Sequence, residues 1–504
     1  MKTNTFMAFS VCASLCALLC LPVQAQTAAP GIFIGEADIG PTARPGSSGH
    51  APQGGSYTVK GPLSAATGNQ PAFHFLYRKI KGDFILYARI AANGNGAPQR
   101  SAGWMIRTAL DKDAAYLSLS AGEKEKAEAM LRYKKAGASV PGTVRTGLTG
   151  ADVLQLERKG DTFTLRVARF GMPFITRKLS LPGMGEELYT GLYAESGDTG
   201  IFRDLRIIAP HPGDGKGESG MTLGSRLELL DVGTGDREIV YRVPYSIQAP
   251  NWTKDGQALI FNDNSGSMYR FDLSARKPER LNTSHVNHNN NDHVLSFDGT
   301  MLGLSSNVKE AGGSVIFTVP ATGGEPRQIT PGGPSYLHGW SPDGKFLVFC
   351  GERKGEFDVY KIPAGGGREI RLTRTKGLDD GPEYTPDGKY IYFNSVRSGS
   401  MQIWRMRPDG SGQEQVTDDG FNNWFPHISP DGHWVVFLSF PKEEAAPDSH
   451  PPYKHVYLRL MPLSGGKPRV LAYLYGGQGS INTPSWSPDS KKIAFISNSG
   501  PILP

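Results

Sequence analysis

The stretch Leu337–Cys350 reads LHGWSPDGKFLVFC, and Gly381–Asn394 reads GPEYTPDGKYIYFN. Each places an aromatic residue, Ser or Thr, Pro and Asp-Gly ahead of a β-rich run. Asp-Gly between two apolar runs is a strong hairpin signal, because glycine accepts positive φ without a steric cost. Four more segments share the pattern: APNWTKDGQALIFN, NDHVLSFDGTMLGLSS, FPHISPDGHWVVFLS and TPSWSPDSKKIAFIS. Their aspartates are Asp255, Asp298, Asp343, Asp387, Asp431 and Asp489, spaced 43, 45, 44, 44 and 58 residues apart. A period near 44 residues, with about four short strands per unit, predicts a β-propeller of six blades.

The sixth unit stops after KKIAFISNS and lacks its last two strands. Two strand-like runs, RLELLDV and REIVYRV, lie just ahead of the first unit. They are predicted to complete the last blade from the other end of the repeat, which removes an open sheet edge.

Residues 27–210 lack the period. FHFLYRKIKGDFILYARI, AGWMIRTAL, DVLQLERKGDTFTLRVA and ELYTGLYAES read as short strands between glycine-rich links. This pattern predicts a two-sheet β-sandwich. KEKAEAMLRY fits a short helix or a strand flanked by charge. HPGDGKGESG opens a linker over residues 211–224, and the propeller takes residues 225–504. The fold class is therefore all-β, an N-terminal sandwich followed by a six-bladed propeller.

Residues 1–25 have the form of a secretory signal peptide. Lys2 is followed by a short apolar run, and Val23–Ala25 end it with small residues. Three of four cysteines, Cys12, Cys16 and Cys20, lie in this segment. A lipoprotein anchor at Cys20 is disfavoured by bulky Leu19. The mature chain keeps one thiol, Cys350, so no internal disulfide is expected. The expected location is periplasmic or secreted. The net charge of +6 on 504 residues is mild and dispersed, which argues against nucleic-acid binding. No second apolar segment is long enough to span a membrane.

The Trp/Tyr-Ser/Thr-Pro-Asp-Gly repeats resemble the propeller of the TolB family of periplasmic proteins. In that family the propeller follows a small α/β domain and contacts a lipoprotein. Nothing in the first half here looks like that domain. The first half instead resembles concanavalin- or laminin-G-type sandwiches, through GDFILYARI, AGWMIRTAL and GDTFTLRV. A weaker resemblance is to oligogalacturonate lyases, propellers with a similar repeat whose histidines hold a divalent metal, usually manganese.

Candidate site residues follow from where each inner strand begins. Its start is expected to face the channel mouth. Four residues before each aspartate the series is Asn251, Val294, Gly339, Glu383, His427 and Ser485. Five before it are His293 and His338, and just upstream lie Asn291, Asp292, Asp380, Trp424 and Asn482. One divalent metal (Mn, Zn or Fe) on His293, His338 and His427, with Asp292, is one reading. Hydrogen bonding of these histidines to water and backbone is the other. Asp380 and Glu383 fit an acid–base pair for sugar chemistry, or turn chemistry. Asn422, Asn423 and Trp424 fit a sugar ring, which stacks on an aromatic face and bonds to amides, or a tryptophan packed between blades. Gln478 and Asn482 could reach the channel from the loop into the sixth blade, or belong to a flexible loop.

The fifth unit carries an insertion, FPKEEAAPDSHPPYKH. Tyr453 could serve as a base there and Arg459 could neutralise a uronate carboxylate; the other reading is a surface insertion without chemistry. No phosphate loop, dinucleotide fingerprint or nucleophile elbow is present. The leading expectation is an exported glycan-binding protein that processes a polysaccharide or oligosaccharide by metal-assisted lyase or hydrolase chemistry. The alternative is a non-catalytic periplasmic protein–protein scaffold of TolB type.

Overall fold

A computed structural model describes residues 31–52, 55–65, 72–91, 101–121, 128–138, 141–213 and 221–501. The expected signal peptide and its three cysteines lie outside the described residues, as do linker residues 214–220.

The first half forms two seven-stranded antiparallel sheets. Alternation along the strands sends every second side chain into the space between them. Leu76, Trp104 and Leu192 come from one sheet; Leu86, Leu156 and Phe202 come from the other; all are fully buried in a shared core. The charged run around Met130 is a strand, Glu128–Lys134, because Ala129 and Leu131 alternate into that core.

The second half is a six-bladed propeller. Five blades are four-stranded antiparallel sheets in sequential order. Their inner strands are Ile247–Trp252, Asn289–Leu295, Ser335–Trp340, Asp379–Tyr384 and Phe421–Ile428. The sixth blade is closed from both directions: Gly224–Asp231 pairs along its whole length with Lys492–Ser499, and Arg237–Val243 flanks it. Trp486 bridges to Ile493 on the inner side of that blade.

The repeat motif builds one turn six times. In each blade a Ser or Thr hydroxyl bonds to the aspartate two residues on, as in Ser341 to Asp343 at 2.7 Å and Ser429 to Asp431 at 2.5 Å. The following glycine, such as Gly344 at φ 69°, turns the chain back. Ser490 takes the same conformation at φ 61° in the sixth unit, where glycine is absent.

The sandwich is welded to the propeller. Tyr87, Val153 and Ala168 pack against Tyr457, Val470 and Tyr473 of blade 5. Beside them Asp204 pairs with Arg237 at 2.8 Å, and Arg206 pairs with Glu228 at 2.9 Å. Ion pairs this buried need partners on both sides, which fixes the two halves in one arrangement.

Candidate functional site

Each of the five complete inner strands is bulged, with register breaks at Gln248/Asn251, Asn289/His293, Leu337/Gly339, Asp380/Glu383 and Trp424/His427. A bulge re-aims the side chain that follows it. Here it turns the residue four before the aspartate sideways, toward the neighbouring blade.

The consequence is a belt of staples around the channel. Asn251 of blade 1 accepts from Leu295 N in blade 2 at 2.9 Å and donates to Pro484 O in blade 6. Glu383 of blade 4 accepts from Ile428 N in blade 5 at 2.8 Å and from His427 Nδ1 at 2.6 Å. His427 Nε2 donates to Ile481 O at 2.8 Å, reaching blade 6. Ser485 of blade 6 donates to Pro250 O of blade 1 at 2.9 Å. At Gly339 there is no room for a staple, since a Cβ would lie 2.9 Å from Val348 Cγ2 and 3.1 Å from Pro382 O. There Trp340 Nε1 donates to Val294 O at 2.9 Å instead.

The second polar group lies at the start of the inner strands. His338 Nε2 faces Asp380 Oδ1 at 3.1 Å. Burial disfavours the charge on both, and their mutual attraction outweighs it, so His338 rises to about 9 and Asp380 falls to about 2. Asp292 is lifted to about 6, by burial first and by the Asp380 charge second, against the opposing pull of His338. Gln478 links Asn291 and Asn482 at 3.3 Å each.

The three histidines do not come together. His427 has both nitrogens against protein oxygens. His293 is fully buried with Nε2 near Ile260 O, and burial lowers it to about 4. Among the described residues no group of three or more His, Cys, Asp or Glu side chains is placed to hold a metal ion. The donor set of His293, His338, His427 and Asp292 therefore does not fit a divalent site, which needs several donors aimed at one point.

Four other expected residues serve the interior of the fold. Trp424 is fully buried in a hydrophobic core and offers no face to a sugar. Asn422 donates to Ala445 O of the insertion and accepts from Met401 N. Asn423 bonds to Gln402, Thr417 and Asp419. Arg459 is held by Asp419 at 2.7 Å and lies over the Phe421 ring at 4.6 Å. Tyr453 stands at the junction with the sandwich, where its hydroxyl accepts from Leu223 N and its ring stacks on His211. Asp380 and Glu383 are separated by the bulge and pair with different histidines. The proposed acid, base and cation are thus not assembled. Cys350 is buried, its thiol pushed well up by burial.

A channel cavity opens at the other end of the inner strands from the expected mouth. It has a volume of about 390 Å³ and takes residues from all six blades. Trp252, Trp340, Tyr384 and Trp486 stand in its wall, Pro342, Pro386, Pro430 and Pro488 line its rim, and Glu383 and Asn251 also border it. An aromatic residue three before the aspartate and a proline one before it each recur in four of the six units. They read as architecture in the sequence, and they are also the lining of the funnel.

The geometry defines a velcro-closed six-bladed propeller with an aromatic and proline-lined funnel. A family profile described as the TolB beta propeller domain matches residues 337–447. An uncharacterized protein of Agrobacterium fabrum is 44% identical over 278 residues, covering 55% of this chain and 93% of that protein. The solved structure of a putative TolB from Agrobacterium tumefaciens is 43% identical, covers 55% of this chain and 99% of that one, and superposes with a TM-score of 0.53. The chain belongs to the TolB-like β-propeller family. A solved oligogalacturonate lyase from Vibrio parahaemolyticus is similar at 12% identity over 55% of this chain and 97% of that one, with a TM-score of 0.35. That likeness carries no argument about activity. No helix among the described residues is long and apolar enough to cross a membrane.

Proposed function

We propose that this chain is a non-catalytic, exported binding protein of TolB type, and that its funnel takes a segment of a partner protein in the periplasm. The observation that carries this reading is the division of labour in the channel. The polar residues that would perform chemistry are spent on joining blades, whereas the funnel presents aromatic and proline surface. Rigid rings and prolines lose little entropy on binding and bury apolar area, which suits an extended peptide or a small protrusion. Membership of the TolB-like family supports the same reading.

The test is site-specific photocrosslinking in producing cells, with the photoreactive residue at Pro430 on the rim and, as a control, at Lys345 on the solvent side of a turn. A protein adduct from Pro430 that is absent from Lys345, and is lost with Pro386→Arg, is expected. Adducts of equal yield from both positions, or none from Pro430, would refute a funnel-bound protein.

A further inference from the structure

A second cavity, of about 300 Å³, lies where residues at the two ends of the linker meet blades 1 and 6 and the blade 5 insertion. It is built from side chains that the funnel and the staples do not use. Among the described residues no Asp, Glu, Lys or Arg lines it. Four amides do: Gln248, Asn264, Gln478 and Asn498. One wall carries the Tyr453 ring, which stacks on His211 with centroids 5.2 Å apart and planes 5° apart. Gly479, at φ 87°, makes space, since a Cβ there would lie 2.8 Å from Gln248 Cγ.

The amides retain bonding capacity. Gln248 Oε1 receives Asn262 at 3.4 Å, Asn498 donates to Ser225 at 3.4 Å, and Gln478 bonds to Asn291 and Asn482 at 3.3 Å each besides a bond with the His450 side chain. These are long beside the usual 2.9–3.0 Å and beside the 2.6–2.9 Å of the channel staples. Among the described residues nothing accepts from Gln248 Nε2. An amide has two donors and an acceptor with two lone pairs, so the amides of the described lining offer several of each without a fixed charge. Its volume is at the low end for a small-ligand site.

We infer that this junction cleft binds a neutral, polyhydroxylated ligand, a short stretch of uncharged glycan, with hydroxyls on the amides and a C–H face against the aromatic wall. Adjacent hydroxyls each donate and accept, which matches amides and not ion pairs. A uronate would bring a carboxylate against a described lining that holds no Lys or Arg, at a cost in desolvation. The inference does not depend on the funnel, because the two cavities share no lining residue.

The test is isothermal titration of the full mature chain with cellotetraose, maltotetraose and chitotetraose, and with tetragalacturonate as the acidic counterpart. Binding of at least one neutral tetrasaccharide is expected, at least tenfold tighter than tetragalacturonate. Gln248→Ala and Asn264→Ala should each weaken it three- to tenfold while leaving the melting temperature within a degree or two. Asn264 is exposed, so its variant keeps the test valid if Gln248→Ala disturbs folding. No heat or chemical-shift change with any neutral tetrasaccharide at 10 mM (on the order of the weakest useful affinity) would overturn the inference. So would tighter binding of tetragalacturonate, or binding that both variants leave unchanged.

Discussion

The Glu383 carboxylate of blade 4 lies 2.6 Å from Nδ1 of His427 in blade 5. Its other oxygen takes Ile428 N at 2.8 Å. A carboxylate and an imidazole this close, in a channel, invite a catalytic reading. Their remaining partners are backbone groups of the neighbouring blades, so the pair closes the ring of blades. Asn251 and Ser485 do the same across the seam where the two ends of the repeat meet.

Gly339→Ala is expected to destabilise the propeller by about 1–3 kcal/mol through overpacking. The added methyl would press on Val348 and on Pro382 O, and backbone oxygen yields little. Urea unfolding followed by tryptophan fluorescence checks it. An unchanged midpoint would mean that blades 3 and 4 are not in the contact described.

The His338–Asp380 pair gives stability a signed pH dependence. His338 rises in the folded state from 6.5 to about 9. Its contribution is therefore complete below pH 6.5 and is lost as the pH climbs through 9. Asp380 falls to about 2, so its contribution is present above pH 4 and is lost as the pH falls through 2. Melting temperatures across pH 6–10 should fall more steeply for the parent chain than for His338→Gln. Parallel curves would remove the pair as a charged unit.

Arg459→Lys should cost about 1–3 kcal/mol, because a lysine cannot hold Asp419 and Asn423 while covering the Phe421 ring. Binding at the funnel should be unchanged in the folded fraction. A variant of normal stability that loses a ligand would return Arg459 to a functional role.

Much of the architecture is legible in the sequence. The 43- to 45-residue spacing of the Asp-Gly turns gives the blade count, and the incomplete sixth unit gives the closure by Gly224–Asp231. The site is less legible, for physical reasons. The inner-strand bulges rotate Asn251, Glu383 and His427 toward neighbouring blades, and no one-dimensional count of residues contains that rotation. Trp424 lies just upstream of the fifth Asp-Gly turn and Arg459 just past the blade 5 insertion, and the burial of both depends on packing within blade 5. The funnel is not legible in the sequence because its lining coincides with the repeat. Trp340 and Pro342 identify the fold so clearly that their second role is hidden.

The central claim, that the channel polar residues join blades, is tested most directly by a double-mutant cycle on Glu383→Gln and His427→Gln in equilibrium urea unfolding. The account predicts single-variant losses of about 2–4 kcal/mol and a coupling energy of about 1–3 kcal/mol, since either change alone strands a buried partner. Additive effects within about 0.5 kcal/mol, or variants as stable as the parent, would contradict it and reopen Glu383 and His427 as groups held in readiness for chemistry.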